Sequence, residues 1–523
     1  METAEKQNSK RKNIALIVVI LAIILLLVFF LLTKKGKNNQ ETTKPVTSEV
    51  KTSAYRLSSN SLEDFDLYFM QLENNKENMI YSPLSIKYAL EMLEEGANGE
   101  SKDQITNIIG EYKAKKYTNS ENMSFANAMF IKDTNKNSIK SDYVDNLKSK
   151  YNAEVLYDSF KTPNTLNTWV SNKTFKLIDN LFDDISTEDF ILVNALAIDM
   201  EWVNKIQNET KDYRVSYAHR KYWMGVSSLV NSGYHSLEFK NSEKNAKSVQ
   251  VGAVINKYDI VNTLGEDKIR ETVSQKYQEW LSDPDYESRS CNPGKDPDVK
   301  TYVDTYIKEI NEGYKDISSS TDFLFYDDDS VKAFAKDLKE YNGTTLQYIG
   351  IMPKKDNLDN YIKNIKSSDL NTLINNLKSI ELDNFKEGVI TEINGYIPMF
   401  KFDYELNLMS DLNKLGIADI FDINKSDLSN LTSDKAVISS AVHKANIEFS
   451  NDGIKAAAAT AMGGKGAGDC GFDYLYDVPV EKIDLTFDNP YLFIIRDKNS
   501  GEVWFTGTVY KPVEYVSPYP NIN

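Results

Sequence analysis

The chain has 523 residues, enough for two to four average domains or for one large domain with insertions. Its 61 Lys and Arg against 77 Asp and Glu give a net charge of −16, and without surplus cations to neutralise phosphates nucleic acid is excluded as a natural partner. Two distant cysteines, Cys291 and Cys470, exclude both a CxxC zinc site and a disulfide framework, and leave room for one bridge.

The first element is an unbroken apolar run over residues 14–32. As a helix it matches a hydrocarbon core of roughly 30 Å. Lys6, Lys10, Arg11 and Lys12 precede it, and Lys34, Lys35 and Lys37 follow. The short basic arm favours an inside N-terminus. A cleavable signal peptide has a shorter apolar region that ends in small residues, whereas this one ends Leu-Leu-Thr-Lys-Lys. The expected organisation is a cytoplasmic tail at 1–12, a single-pass signal-anchor at 13–33 and a polar, flexible linker at 34–58. The rest of the protein then lies outside the cell.

Beyond the linker, residues 62–72 carry apolar residues at helical spacing. Residues 85–94 repeat the pattern through Ile86, Ala89, Leu90 and Leu93. Ser82 or Ser85 is the expected cap of this second helix, Pro83 sets its start, and Gly96 and Gly99 are the expected stops. Strands are predicted over 190–198, 346–352, 491–496 and 503–509, where β-branched, aromatic and aliphatic residues run together. Helices early and strands late indicate α+β.

The order of these segments resembles the serpins, a family of serine protease inhibitors. Asn78-Met-Ile-Tyr-Ser82-Pro-Leu-Ser85 is similar to their N-terminal signature. Trp169, Leu192-Val-Asn194-Ala, Trp202, Ile397-Pro398-Met-Phe400 and Leu415-Gly416 continue in the family's order. His443-Lys-Ala and a hinge-like segment follow. Asn489-Pro490-Tyr-Leu-Phe and Trp504-Phe-Thr-Gly507 resemble the C-terminal signature. The resemblance implies a domain over 59–515 with a large, mostly antiparallel sheet A, sheets B and C, eight to nine helices and an exposed reactive loop within 454–486. The distance from Trp202 to Pro353 exceeds the family pattern, so an insertion is expected within about 204–342.

The resemblance also implies a mechanism. A protease cuts the exposed loop and forms an acyl-enzyme. The loop's leading side then enters the central sheet as a new strand and carries the protease with it. An entering strand alternates its faces. From a hinge at Gly453, one face carries Ile454, Ala456, Ala458, Thr460 and Met462, and the other Lys455, Ala457, Ala459 and Ala461. Small or apolar residues on one face and a lone charge on the other suit insertion. Asn451 stands where the family has glutamate, and Ile454 is bulkier than its usual threonine or serine. The family's register places the cut at Ala467–Gly468, which implies an elastase-like or subtilisin-like target. The rival bond is Lys465–Gly466, with a trypsin-like target.

Ser82, Ser85, Asn194 and His443 match the family's buried polar cluster beneath the opening strands, where hydrogen bonds hold the strands and release them in steps. Cys291 and Cys470 are the candidate pair for a bridge tethering the trailing side of the loop, against two free thiols. His219 and His235 are expected on loops or the surface. Residues 459–466 graze a phosphate-binding loop but lack its first glycine and final Ser/Thr. No G-x-S-x-G elbow occurs. The expectation is therefore a monomeric, membrane-tethered inhibitor of serine proteases without enzyme activity, metal or cofactor. The alternative is a non-inhibitory relative acting as a binding or structural surface protein.

Overall fold

The computed structural model describes residues 57–206, 235–240, 242–290, 293–311, 316–319, 322–454, 472, 474 and 479–512. Helix α1 (Asp64–Glu73) opens on a capping box between Glu63 and Asp66, and buries Phe65, Leu67, Phe69 and Met70. After β1 (Met79–Tyr81), helix α2 (Pro83–Gly96) is capped by the Ser82 hydroxyl, which accepts the Ser85 N–H. Two expected stops fall differently. Gly96 is the last residue of α2, where a Cβ would sit 2.9 Å from that of Leu431, so close packing rather than chain reversal selects glycine. Gly99 opens the next helix, α3 (Gly99–Ile109), at a φ of +51°.

The chain continues through β2 (Met123–Lys132), α4 (Ser141–Tyr151), β3 (Glu154–Asp158), α5 (Asn164–Lys173), β4 (Phe190–Ile198) and β5 (Met200–Glu201). Next come β6 (His235–Leu237) and β7 (Ala246–Asn256). Four helices follow, α6 (Ile260–Leu264), α7 (Glu266–Leu281), α8 (Tyr286–Arg289) and α9 (Val299–Asn311), closed by β8 (Asp316–Ser319). Strands β9 (Leu324–Asp327), β10 (Val331–Asp337) and β11 (Leu346–Pro353) precede α10 (Leu358–Asn364), α11 (Ser367–Asn375) and β12 (Lys378–Ser379). The last third holds β13 (Ile390–Pro398), β14 (Phe400–Asn407), α12 (Leu408–Leu415), β15 (Val442–Phe449), β16 (Gly453–Ile454), β17 (Val480–Asp484), β18 (Tyr491–Asp497) and β19 (Val503–Val509). The described residues thus carry twelve α-helices rather than eight to nine, and the surplus is the group α6–α9.

Three sheets organise these elements. A seven-stranded antiparallel sheet runs β1-β19-β18-β11-β10-β9-β12. Its strands β18 and β19 are buried on both faces, which explains why they show no apolar–polar alternation. A second sheet runs β17-β13-β7-β6, with β8 on β7 and only β13–β17 parallel. The third is assembled from two parts, β3-β2-β4 and β14-β15-β16-β5. Because β5 resumes two residues after β4, the two parts form one large sheet joined through β16. The fold is α+β. The main core spans these layers, and a separate core centred on Ile269, Val273, Val303 and Ile307 sits among α6–α9. Among the described residues no helix is long and apolar enough to cross a membrane, and the apolar run at 14–32 lies outside them.

Candidate functional site: the hinge and the parted sheet

The chain reverses after β15 in a tight turn at Ser450, Asn451 and Asp452, and Gly453–Ile454 re-enters the large sheet. Ile454 pairs with Phe449 on one side, while Gly453 and Ile454 pair with Glu201 and Met200 on the other. Gly453 is required by proximity: a Cβ there would lie 2.3 Å from the Met200 carbonyl oxygen and 2.6 Å from the Glu201 Cα.

The turn is held by the segment that follows β5. The Trp202 indole N–H donates to the Ser450 carbonyl at 3.0 Å, and the Trp202 backbone N–H donates to that of Asp452 at 3.0 Å. The Ile206 N–H reaches the Asn451 carbonyl at 2.9 Å. Trp202 is fully buried, with edge contacts to Tyr348 and Phe449. Lys205 pairs with the buried Asp452 carboxylate at 3.0 Å and with Glu201 at 3.5 Å, and Lys339 also meets Glu201. The hydrogen bond to Asp452 raises the Lys205 pKa, and the one from Lys339 lowers that of Glu201. Both lysines are half exposed, so these pairs orient more than they stabilise.

Below the hinge the sheet is parted. Strand β4 pairs with β2 and β15 with β14, but β4 and β15 do not pair with one another. A cavity of about 120 Å³ occupies the opening, lined by Ser82, Ser85, Leu90, Asn194, His443 and Phe505 among others. A hollow of about 10 Å³ between Ile198 and residues 446–448 continues it toward the hinge. His443 Nε2 accepts the Ser82 N–H at 2.9 Å, which makes this ring neutral with the proton on Nδ1. Burial holds its pKa down at about 4, and the partly exposed residue lines the cavity. Asn194 turns its amide to Asn127 Oδ1, 2.7 Å away on β2 and opposite it in register. Ser85 Oγ and Asn194 Oδ1 are buried and lack a hydrogen-bond partner among the described residues.

The model of the serpin (serine protease inhibitor) family matches residues 64–252 and 317–512. The chain belongs to the serpin family. The family is one of protease inhibitors in general, not of enzymes. An uncharacterised serpin-like protein of Methanosarcina acetivorans is 24% identical over 482 residues, covering 87% of this chain and 86% of its own. Human leukocyte elastase inhibitor is 38% identical over 122 residues, 23% of this chain and 30% of its own. The native-state structure of a thermophilic serpin, tengpin, shares the fold with a TM-score of 0.55 at 20% identity, covering 88% of this chain and 97% of its own.

The structure brings Ser82, Ser85, Asn194 and His443 around one cavity, and joins Ser82 directly to Ser85 and to His443. Asn194 bonds outside that set. Gly453 and the backbone of Ile454 lie in the sheet. Ala456, Ala457, Ala458, Ala459, Thr460, Lys465, Gly466, Ala467, Gly468, Cys470, Cys291 and His219 lie outside the described residues, and so do both candidate bonds and the candidate bridge. His235 opens β6. Sequence reasoning missed Lys205, Asp452 and Asn127. Asp452-Gly453 is a turn signal that could have pointed to the first two. The family match is interrupted at residues 253–316, which hold α6–α9.

Proposed function

We propose that this serpin is a suicide-substrate inhibitor of extracellular serine endopeptidases. The observation that supports it best is the pairing of Gly453–Ile454 between β5 and β15 above an unpaired stretch of β4 and β15. A strand that continues from Ile454 has its first rungs made and a parted sheet ahead. Ser85 and Asn194, whose Oγ and Oδ1 lack a hydrogen-bond partner among the described residues, line that path. The protease serine attacks the carbonyl carbon of Ala467, the bond to the Gly468 nitrogen breaks, and that amine leaves with a proton. Residues from Lys455 onward then add to the sheet and displace the acylated protease before water reaches the ester. An alanine at the cut suits elastase-like or subtilisin-like pockets, and the relative named leukocyte elastase inhibitor is consistent with that class. The N-terminal apolar run anchors the serpin domain on the outer face of the cell membrane, and the domain acts as a monomer.

The test mixes the full chain, in detergent, with elastase-like, subtilisin-like and trypsin-like proteases, followed by denaturing electrophoresis and intact mass. The expected result is a denaturant-resistant complex and a released fragment that begins at Gly468. A fragment beginning at Gly466 keeps the trap and changes the target class. Clean cleavage without complex across the panel refutes inhibition. Protease treatment of intact cells, with the domain shed from the membrane fraction, tests the anchoring.

A further inference from the structure

We propose that the inserted helices α6–α9 form a clasp that holds the trailing side of the reactive loop, so that the loop enters the sheet only after it is cut. This rests on the inhibitor reading above. The insertion leaves the second sheet at the end of β7 and returns through β8, which pairs with residues 253–256 of β7. Its core takes in Val254 of β7 and Ile390, the first residue of β13. The chain coming back from the loop joins at the same place: the Ile390 N–H donates to the Pro479 carbonyl at 3.0 Å, and β17 then pairs with β13.

On that returning chain, Phe472 and Tyr474 rest against the insertion. The Tyr277 ring stacks on Tyr302 at 4.0 Å and on Trp280 at 5.6 Å. Phe472 packs against all three rings, at 5.2 Å from Tyr277, 5.7 Å from Trp280 and 5.5 Å from Tyr302. The Tyr302 hydroxyl donates to the Phe472 carbonyl at 3.0 Å, and the Tyr306 hydroxyl donates to the Tyr474 carbonyl at 2.8 Å. Tyr302 and Tyr306 are one turn apart on α9, a rise of about 6 Å. Carbonyls two residues apart in an extended chain are about 6.7 Å apart and point the same way. One face of α9 is therefore spaced to meet carbonyls two residues apart, at Phe472 and Tyr474, and the aromatic cradle selects the ring at 472. The Tyr277 hydroxyl donates to the Pro297 carbonyl at 2.9 Å, which fixes the cradle itself.

Chain length gives the clasp its consequence. As a strand, residues 454–467 extend about 48 Å down the sheet. The link from residue 467 back to Phe472 is five residue steps and reaches about 18 Å at most. The uncut loop cannot insert fully while Phe472 is held. Cleavage at Ala467–Gly468 removes the restraint and leaves the trailing side in place. The inserted helices and the long trailing segment, two departures from the family pattern, thus belong to one device.

The experiment compares the full chain with Y302F/Y306F, which removes both donors and keeps the rings, and with F472A, which lies outside the helices and leaves their fold intact. Chymotrypsin cleavage after Phe472, followed by mass, reads whether the segment is held. Incubation of the uncut protein, followed by native electrophoresis, reads loop insertion without a cut. Y302F/Y306F should be cut after Phe472 about ten- to thirtyfold faster, and both variants should convert to the inserted form at least about tenfold faster. The clasp is overturned if the native chain is cut there as fast as a free peptide of that sequence. It is also overturned if the variants convert no faster, including the case in which nothing converts. Absence of a protease complex in the native chain refutes the inhibitor reading alone, because segment release and conversion are read without one.

Discussion

Replacing Gly453 with valine tests whether the pre-docked hinge sets the rate of the trap. The new Cβ would lie 2.3 Å from the Met200 carbonyl oxygen and 2.6 Å from the Glu201 Cα. Both are backbone atoms, so β5 or β16 must move. Overpacking of this kind costs about 1–3 kcal/mol. Expelling the hinge also forfeits its rungs to Phe449, Glu201 and Met200, at about 1 kcal/mol for each hydrogen bond lost. If about 2 kcal/mol of this falls on the barrier to insertion, insertion slows about thirtyfold. Hydrolysis of the acyl-enzyme is unaffected by a change this far from the cut, so more of the inhibitor is turned over as substrate. Titration of residual protease activity against added inhibitor should show the stoichiometry rising several-fold, with cleaved chain replacing complex on denaturing gels. Valine favours strands, so a loss cannot be assigned to backbone propensity. A Gly453→Val variant that traps protease with native stoichiometry would refute the argument that hinge docking between β5 and β15 starts insertion.

Other consequences concern the supports of this site. The His443 pKa is held at about 4 against an unfolded value near 6.5, so the unfolded chain binds more protons between these limits. Stability is therefore full above pH 6.5 and falls as pH drops toward 4, by about 3 kcal/mol at most and less because the ring borders a cavity. His443→Gln should flatten the melting temperature across that window, and an unchanged pH profile would exclude this histidine as the cause. Trp202→Phe removes the donor to the Ser450 carbonyl and part of a fully buried ring, and should lower stability by about 2–3 kcal/mol in a denaturant titration. The Lys87–Asp66 pair, at 2.6 Å with both side chains wholly buried, gives a contrast: Lys87→Met should cost about 3–5 kcal/mol, whereas adding Asp66→Leu should recover most of it. Two variants of equal stability would contradict the cost of an unpaired buried carboxylate.

The elements legible in the sequence were those whose burial is written locally. Strands β4, β18 and β19 emerge from runs rich in aliphatic, aromatic and β-branched residues, and α2 from its periodicity and its Ser82-Pro83 start. Gly96 read as a stop because the sequence carries no sign of Leu431, whose Cβ excludes any side chain there. The separation of β4 from β15 was illegible for a related reason. Pairing is decided between strands distant in sequence, and both strands have ordinary β composition. Ser82, Ser85, Asn194 and His443 came from resemblance, while Asn127 was missed although its place opposite Asn194 follows once the register is known. Tyr302 and Tyr306 carry a helical spacing that marks a shared face, but the carbonyls they meet lie at Phe472 and Tyr474, beyond any local pattern.

Taken together, the hinge and the clasp divide the control of insertion between thermodynamics and connectivity. On the proposed inhibitor reading, adding a strand between β4 and β15 offers hydrogen bonds on both edges and fills a cavity, and the uncut protein is then held away from a lower free energy. On that reading its persistence is kinetic. A barrier made only of strand separation would be weak here, because β4 and β15 are already unpaired and the hinge has already entered. The restraint must then lie at the other end of the loop. The structure places there the parallel pairing of β17 with β13 and, ahead of it, the contacts of Phe472 and Tyr474 with the insertion. A chain with so open a sheet needs a correspondingly firm hold on the trailing side, and the extra helices are where that hold is found.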